Sequence, residues 1–254
     1  MGLAGKYCLL IYFPLYRLHQ DGLRARTARI KPPTTLHIRQ RRMAWARMVR
    51  AWTVPQNWSK VVFSDETSFN LNCCNGKVKI WRSRGEVMDP EHLPTQPTGG
   101  KSSLMFWGCI GIYGPGELVV VPGRINSDVY INVLQDNLAQ SVENIFGDRE
   151  TFYVFQQDNA PVHTSRATRA WLEENDVMVM NWAPYSPDLN VIENVWGWLL
   201  TKLRADPPQT LGELHRRVMQ LWSQLPPDYM ENLYNSLPRR VESVLERRGY
   251  PTKY

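Results

Sequence analysis

The chain has 254 residues, 43% of them hydrophobic, with ten Trp, eleven Tyr and a net charge of +6. That is enough apolar material for one large domain, or one domain with an extension. It excludes a membrane span, because the one apolar run near a terminus, Tyr7–Tyr16, is short and interrupted by Pro14. The run also makes a poor signal peptide, with one Lys ahead and no small-residue cleavage site behind, and Lys6 stands where a myristoylation motif needs Ser or Thr. Cys8, Cys73, Cys74 and Cys109 show no zinc-like spacing, and the adjacent pair is badly placed to bond to itself. A reducing intracellular compartment is the expectation.

The charge is unevenly spread. Residues 1–50 carry eleven Lys and Arg against Asp21 alone, whereas the remainder holds nineteen basic and twenty-three acidic residues. A basic arm for a polyanion is one reading and a solvated amphipathic face the other. Within this arm, Arg17–Gly22 reads as a helix end closed by glycine, and Leu23–Pro33 as a basic linker ended by prolines. Thr34 or Thr35 can cap a helix running to about Trp52, with Ile38, Trp45, Val49 and Trp52 on one side.

Lys60–Phe69 follows as a first strand, and Asn75-Gly76 signals a hairpin into a second, Lys77–Arg84. Gly85–Lys101 is a long loop rich in Pro and Gly, of the kind that is functional or disordered. Leu104–Tyr113 is a third strand, and Gly114-Pro115-Gly116 turns into the apolar Leu118–Val121. Ser127 caps a helix to about Phe146, with Tyr130, Ile131, Leu134, Leu138 and Ile145 inward. A buried strand from Tyr153, a helix from Thr164 to Glu174 and a second buried strand, Val177–Trp182, come next. Pro184, Ser186 and Pro187 mark a loop that opens a helix in which Ile192, Val195, Trp196, Leu199, Leu200 and Leu203 recur at helical spacing. Thr210–Leu225 and Asp228–Arg248, the latter interrupted by Pro238, close the chain.

Three carboxylates stand out in this order. Asp65 lies on the first strand, Asp158 at the carboxyl end of the Tyr153 strand, and Glu193 off the middle of the apolar stripe of its helix. If the two strands are neighbours, the three can converge, and hard divalent cations would relieve their mutual repulsion. Two such ions about 3.5–4 Å apart suit in-line phosphoryl displacement. Singly, each acid has a plainer reading. Asp65 could be a strand-end turn residue, Asp158-Asn159 an Asx turn before Pro161, and Asn190 with Glu193 a capping box. Glu66 should point to the opposite face from Asp65. Asp188 reads as a loop or capping residue, the Trp-rich helices as core, and Arg239, Arg240, Arg247 and Arg248 as a DNA track or a solvated face.

The element order fits an α/β fold: a mixed five-stranded ribonuclease-H-like sheet flanked by helices, with a basic helical N-terminal extension and C-terminal helices. The expected division is residues 1–55 as extension and linker helix, and 56–254 as the catalytic domain with its C-terminal helices.

The segments VVFSDETSF, LMFWGCIG, FQQDNAPVHTS, PYSPDLNVIENVWGWL, LPRRVESVLERRG and the terminal PTKY resemble the catalytic portion of Tc/mariner DNA transposases. The 34 residues between Asp158 and Glu193 match the spacing of one branch of that superfamily. The resemblance runs from near Arg17 to Tyr254. It implies that Asp65, Asp158 and Glu193 bind two Mg²⁺ ions, with Mn²⁺ as a substitute, for DNA strand cleavage and strand transfer. It further implies double-stranded DNA as partner, pairing as a homodimer or with a related transposase through Gly85–Lys101, and a nuclear location. His163 could contact a scissile phosphate or start a helix, and Arg24, Arg26, Arg29 and Lys31 are candidate DNA contacts. The family's paired helix-turn-helix units have only their last turn and linker resembled here, in RLHQDGLRARTARIKP, so loss of sequence-specific docking is expected. That loss motivates an alternative, a transposon-derived remnant that binds DNA without cutting it. A weaker alternative is a general ribonuclease-H-like nuclease.

Overall fold

Helices cover both faces of the sheet, so its central strand is buried on both sides over Val61, Val62, Phe63 and Ser64. The computed structural model describes residues 34–71, 103–147, 149 and 152–254. Strand β1 (Val61–Asn70) pairs antiparallel with β2 (Ser103–Gly111), which pairs antiparallel with β3 (Gly114–Val121). Strand β4 (Val154–Gln156) runs parallel to β1 on its other edge, giving the order β3-β2-β1-β4.

The sheet of the described residues therefore has four strands, not five. The expected strand Val177–Trp182 contributes one isolated parallel bridge, Val179 to Phe155. Phe155 donates its N–H to Met178 O and accepts from Met180 N–H, both at 2.8 Å. The pairing stops there because β4 is only three residues long, and Met178 and Val179 lie exposed at the open edge. The Asn75-Gly76 hairpin, the strand at Lys77–Arg84 and the loop Gly85–Lys101 fall outside the described residues.

Seven helices are described. They are α1 (Leu36–Met48), α2 (Ser127–Phe146), α3 (Arg166–Glu174), α4 (Ile192–Ala205), α5 (Leu211–Ser223), α6 (Pro227–Asn235) and α7 (Leu237–Glu246). Side-chain oxygens of Thr35, Ser165 and Thr210 accept the N–H bonds that open α1, α3 and α5. Asn126, not Ser127, caps α2, because its Oδ1 is the group that reaches Val129 N–H, at 2.8 Å. Pro238 divides the last helical stretch by sitting in the first turn of α7, where its missing N–H costs nothing.

Two apolar layers result. On one face Val61, Phe63 and Ile110 meet Trp45 of α1, Leu199 of α4 and Tyr234 of α6. On the other, Val62, Trp107 and Phe155 meet Tyr130 and Leu134 of α2 and Leu172 of α3. Trp45, Trp58, Trp107, Trp182, Trp196 and Trp222 are all core residues, which excludes them as base-stacking platforms. Among the described residues, Cys109 is a free buried thiol and no helix is long and apolar enough to cross a membrane.

The C-terminal tail locks α1 in place. After α7, Arg248 and Gly249 both take positive φ, and Gly249 N–H returns to Val244 O at 2.8 Å. A Cβ on Gly249 would lie 2.3 Å from Arg39 O of α1. Gly249→Ala is expected to lower stability by at least about 1–2 kcal/mol, the left-handed backbone penalty, before the clash is added. An unchanged urea midpoint would contradict this packing.

Candidate active site

The register of β1 on β4 sends the first two carboxylates out of the same end of the ladder. Val61 pairs with Val154, Val62 with Phe155 and Phe63 with Gln156, and Asp65 and Asp158 each follow the last pair by two residues. Ser64 fastens the strands just before they part, its hydroxyl donating to Gln156 O at 2.7 Å.

Asp65 points to the α4 face. Trp196 of α4 donates its indole N–H to Asp65 Oδ2 at 3.2 Å. The indole has room because Gly108 is Asp65's cross-strand partner: a Cβ there would meet Leu118, Trp196 and Trp222 at 2.9–3.1 Å. Burial, then the charges of Glu193 and Glu66, push the Asp65 carboxyl up to about 8. A buried acid crowded by two others in this way keeps its proton until a cation compensates the charge.

Glu193 comes from the first turn of α4. Asn190 anchors that turn to the sheet, accepting Ile192 N–H at 3.3 Å and donating to Ser64 O at 3.1 Å. The capping box does not form. Among the described residues the surface carboxylate of Glu193 has no hydrogen-bond partner, so it is free to turn towards the other acids. Partial desolvation and the charge of Asp158 raise its pKa.

Asp158 is held differently. Its Oδ1 accepts Ala160 N–H at 2.8 Å, an Asx turn, and faces His163 Nδ1 at 2.7 Å. Burial acts to raise its pKa, but the His163 hydrogen bond, the Ala160 N–H and the His163 charge outweigh it and the net shift is downward. His163 in turn faces Glu66 Oε1 through Nε2 at 3.2 Å. Burial acts to lower its pKa, yet the two carboxylates hold it up at about 9. Flanked by acceptors on both nitrogens, the ring is an imidazolium with two donors. It is 3% exposed and both nitrogens are engaged, so neither is free for a phosphate in this arrangement.

Glu66 is the residue that sequence reasoning missed. Alternation does send it to the face opposite Asp65, but there it meets His163 and through it Asp158. The signal was its place beside Asp65. Beside Asp158 and His163 opens a cavity of about 420 Å³, lined also by Arg169, Asn181 and Trp182.

The donor set suits a hard divalent cation: three carboxylates on three elements, with the Asp158 Oδ2 unpartnered among the described residues. Among the described residues, no three His, Cys, Asp or Glu side chains stand close enough to hold one ion in this arrangement. Of the candidate DNA contacts, Arg24, Arg26, Arg29 and Lys31 lie outside the described residues. Arg240 is a buried strut, bonding Ser236 Oγ, Asp188 O and Asn194 Oδ1 at 2.7–3.0 Å.

A mixed sheet with one acid on its central strand, a second just past the end of the adjacent parallel strand and a third on a crossing helix defines a ribonuclease-H-like nuclease domain. The comparisons specify which. Residues 60–215 match the DDE superfamily endonuclease model. The chain is 33% identical over 239 residues to the Tcb1 transposase of Caenorhabditis briggsae, covering 94% of this chain and 86% of that protein. It is 32% identical over 240 residues to the Tc1 transposase of Caenorhabditis elegans, with the same coverage. In structure it resembles the Mos1 transposase paired-end complex with left transposon end (TM-score 0.74, 20% identity, 95% of this chain and 71% of that one). The catalytic domain of Mos1 mariner transposase gives TM-score 0.66 at 17% identity, covering 89% of this chain and all of that one. The chain belongs to the DDE superfamily endonucleases, as the catalytic portion of a Tc/mariner transposase. The family's chemistry is DNA cleavage and strand transfer in transposition, and the non-catalytic alternative is not the favoured one.

Proposed function

We propose that Asp65, Asp158 and Glu193 together hold two Mg²⁺ ions, or Mn²⁺ in their place, for cutting and rejoining double-stranded DNA. The observation that carries this is the β1–β4 register, from whose end Asp65 and Asp158 both emerge two residues past the last pair, while Glu193 lies close enough to raise the Asp65 pKa. Bound divalent ions would activate a water or a DNA 3′-hydroxyl and offset charge on the leaving oxygen. Asp65 would hold metal from a rigid strand. Asp158 would offer Oδ2, and Glu193 would swing in from the start of α4. Arg24, Arg26, Arg29 and Lys31 would contact DNA phosphates in this reading, giving binding that weakens steeply with salt. The chain would act in the nucleus, as a homodimer or paired with a related transposase. The test is nicking of supercoiled DNA in Mg²⁺: activity abolished by a chelator and by Asp65→Ala is expected, and nicking by Asp65→Ala at the wild-type rate would rule the site out.

A pH signature accompanies it. Asp65 has a folded pKa raised from 3.8 to about 8, so the metal-free fold binds more protons than the unfolded chain and loses stability as pH rises through that window. His163, raised from 6.5 to about 9, adds a second loss between those values. A divalent ion competes with the proton on Asp65. The thermal stabilisation given by Mn²⁺ should therefore grow from about pH 5 to about pH 8; a flat or declining profile would count against Asp65 as a ligand.

A further inference from the structure

The contacts around Asp158 form a chain whose purpose the three-carboxylate scheme does not account for. Glu66 Oε1 lies 3.2 Å from His163 Nε2, and His163 Nδ1 lies 2.7 Å from Asp158 Oδ1. The ring is itself fixed. It packs on Tyr130 at 4.3 Å between centroids, the Tyr130 hydroxyl donates to Gln157 Oε1 at 2.7 Å, and Gln157 Nε2 donates to His163 O at 3.3 Å. With the Ala160 N–H also on Oδ1, that oxygen is fully used and Oδ2 is left over.

As a stabilising device this chain is poor, since the imidazole loses its hydration while Asp158 stays half exposed, where water screens the pair. As an orienting device it makes sense. A carboxylate at the end of a three-residue strand, with its side chain 55% exposed, would otherwise rotate freely. Metal ligands are commonly fixed by a second side chain that takes up the atom not facing the metal. We propose that Glu66 and His163 act together as positioning residues, holding Asp158 by Oδ1 so that Oδ2 is presented to the metal. This rests on the metal-binding reading of Asp158. Glu66 thereby links the two aspartates: it follows Asp65 in β1 and reaches Asp158 round the end of β4 through the imidazole.

The test is Mn²⁺ binding by the full chain, read from the electron paramagnetic resonance of the free ion, beside the thermal midpoint in chelator. Asp158→Asn sets the reference for loss of the ligand. Glu66→Ala and His163→Asn are expected to weaken Mn²⁺ binding by roughly ten- to a hundredfold, as outer-shell losses do. Glu66→Gln, whose amide oxygen still accepts from the ring, is expected to stay within about threefold of wild type, well short of that loss. Loss in Asp158→Asn with wild-type binding in Glu66→Ala and His163→Asn would overturn the relay while leaving the metal site standing. So would losses in those two variants that merely track a fallen thermal midpoint. Wild-type binding in Asp158→Asn would overturn both. Should His163→Asn fail to fold, the contrast between Glu66→Ala and Glu66→Gln decides the matter alone.

Discussion

Asp158→Asn is expected to cut metal-dependent DNA cleavage by at least about a thousandfold, roughly 4 kcal/mol of barrier, with the fold intact. Asn is the informative replacement because its Oδ1 can still accept Ala160 N–H and keep the turn that ends β4. What it removes is the negative charge on Oδ2. With Oδ1 kept in the turn, the atom that takes the place of Oδ2 is an amide NH₂, which donates hydrogen bonds and has no lone pair for a cation. Because the side chain is half exposed and its turn survives, the thermal midpoint in chelator should hardly move. Cleavage by this variant at the wild-type rate would remove Asp158 from the mechanism, and with it the reason for placing Glu193 nearby.

The second large effect is structural and lies away from the acids. Arg42→Ala is expected to destabilise the chain by about 3–5 kcal/mol, the cost of leaving one partner of a buried ion pair alone. Arg42 is fully buried in α1 and holds Asp188 bidentately, at 2.9 and 2.8 Å, while also donating to Ser186 Oγ, Tyr185 O and Gly249 O. Asp188 takes a further N–H from Thr252 at 2.7 Å, and its own carbonyl accepts from Arg240. The loop before α4 is thus tied to α1 and to the C-terminal tail through the Asp188 carboxylate, and to α7 through its backbone carbonyl. The arginine holds Asp188 well below the usual carboxylate range, although burial works the other way. Replacing both partners together, Arg42→Met with Asp188→Leu, should recover much of the loss, because no charge is then stranded. A denaturant midpoint for Arg42→Ala within about 0.5 kcal/mol of wild type would show that the pair contributes only what exposed pairs do.

These two results bear on each other. Glu193 follows Asp188 by a single loop and turn, so the Arg42 clamp sets where α4 begins, and Asn190 ties that start to Ser64 beside Asp65. Arg42→Ala should therefore also slow cleavage beyond what the unfolded fraction explains.

Much of this was legible in the order of residues. Apolar runs bounded by turn residues marked β1, β2 and β3, and the capping Thr34 or Thr35 marked the start of α1. The placing of Asp65 on a strand, Asp158 at a strand end and Glu193 in the first turn of a helix followed from those local patterns, which repeat every two or 3.6 residues. The fold decided the rest. Whether Val177–Trp182 pairs along its length depended on how short β4 turned out to be, which no propensity of that segment records. Glu66 and His163 are 97 positions apart, Arg42 and Asp188 are 146 apart, and neither pair lies on a shared local repeat. Such partners are chosen by which helix lands on which face of the sheet. Periodicity fixes the face a side chain takes on its own element, whereas the neighbour it meets there is fixed only when the apolar layers close and buried polar groups must find partners or lose hydration.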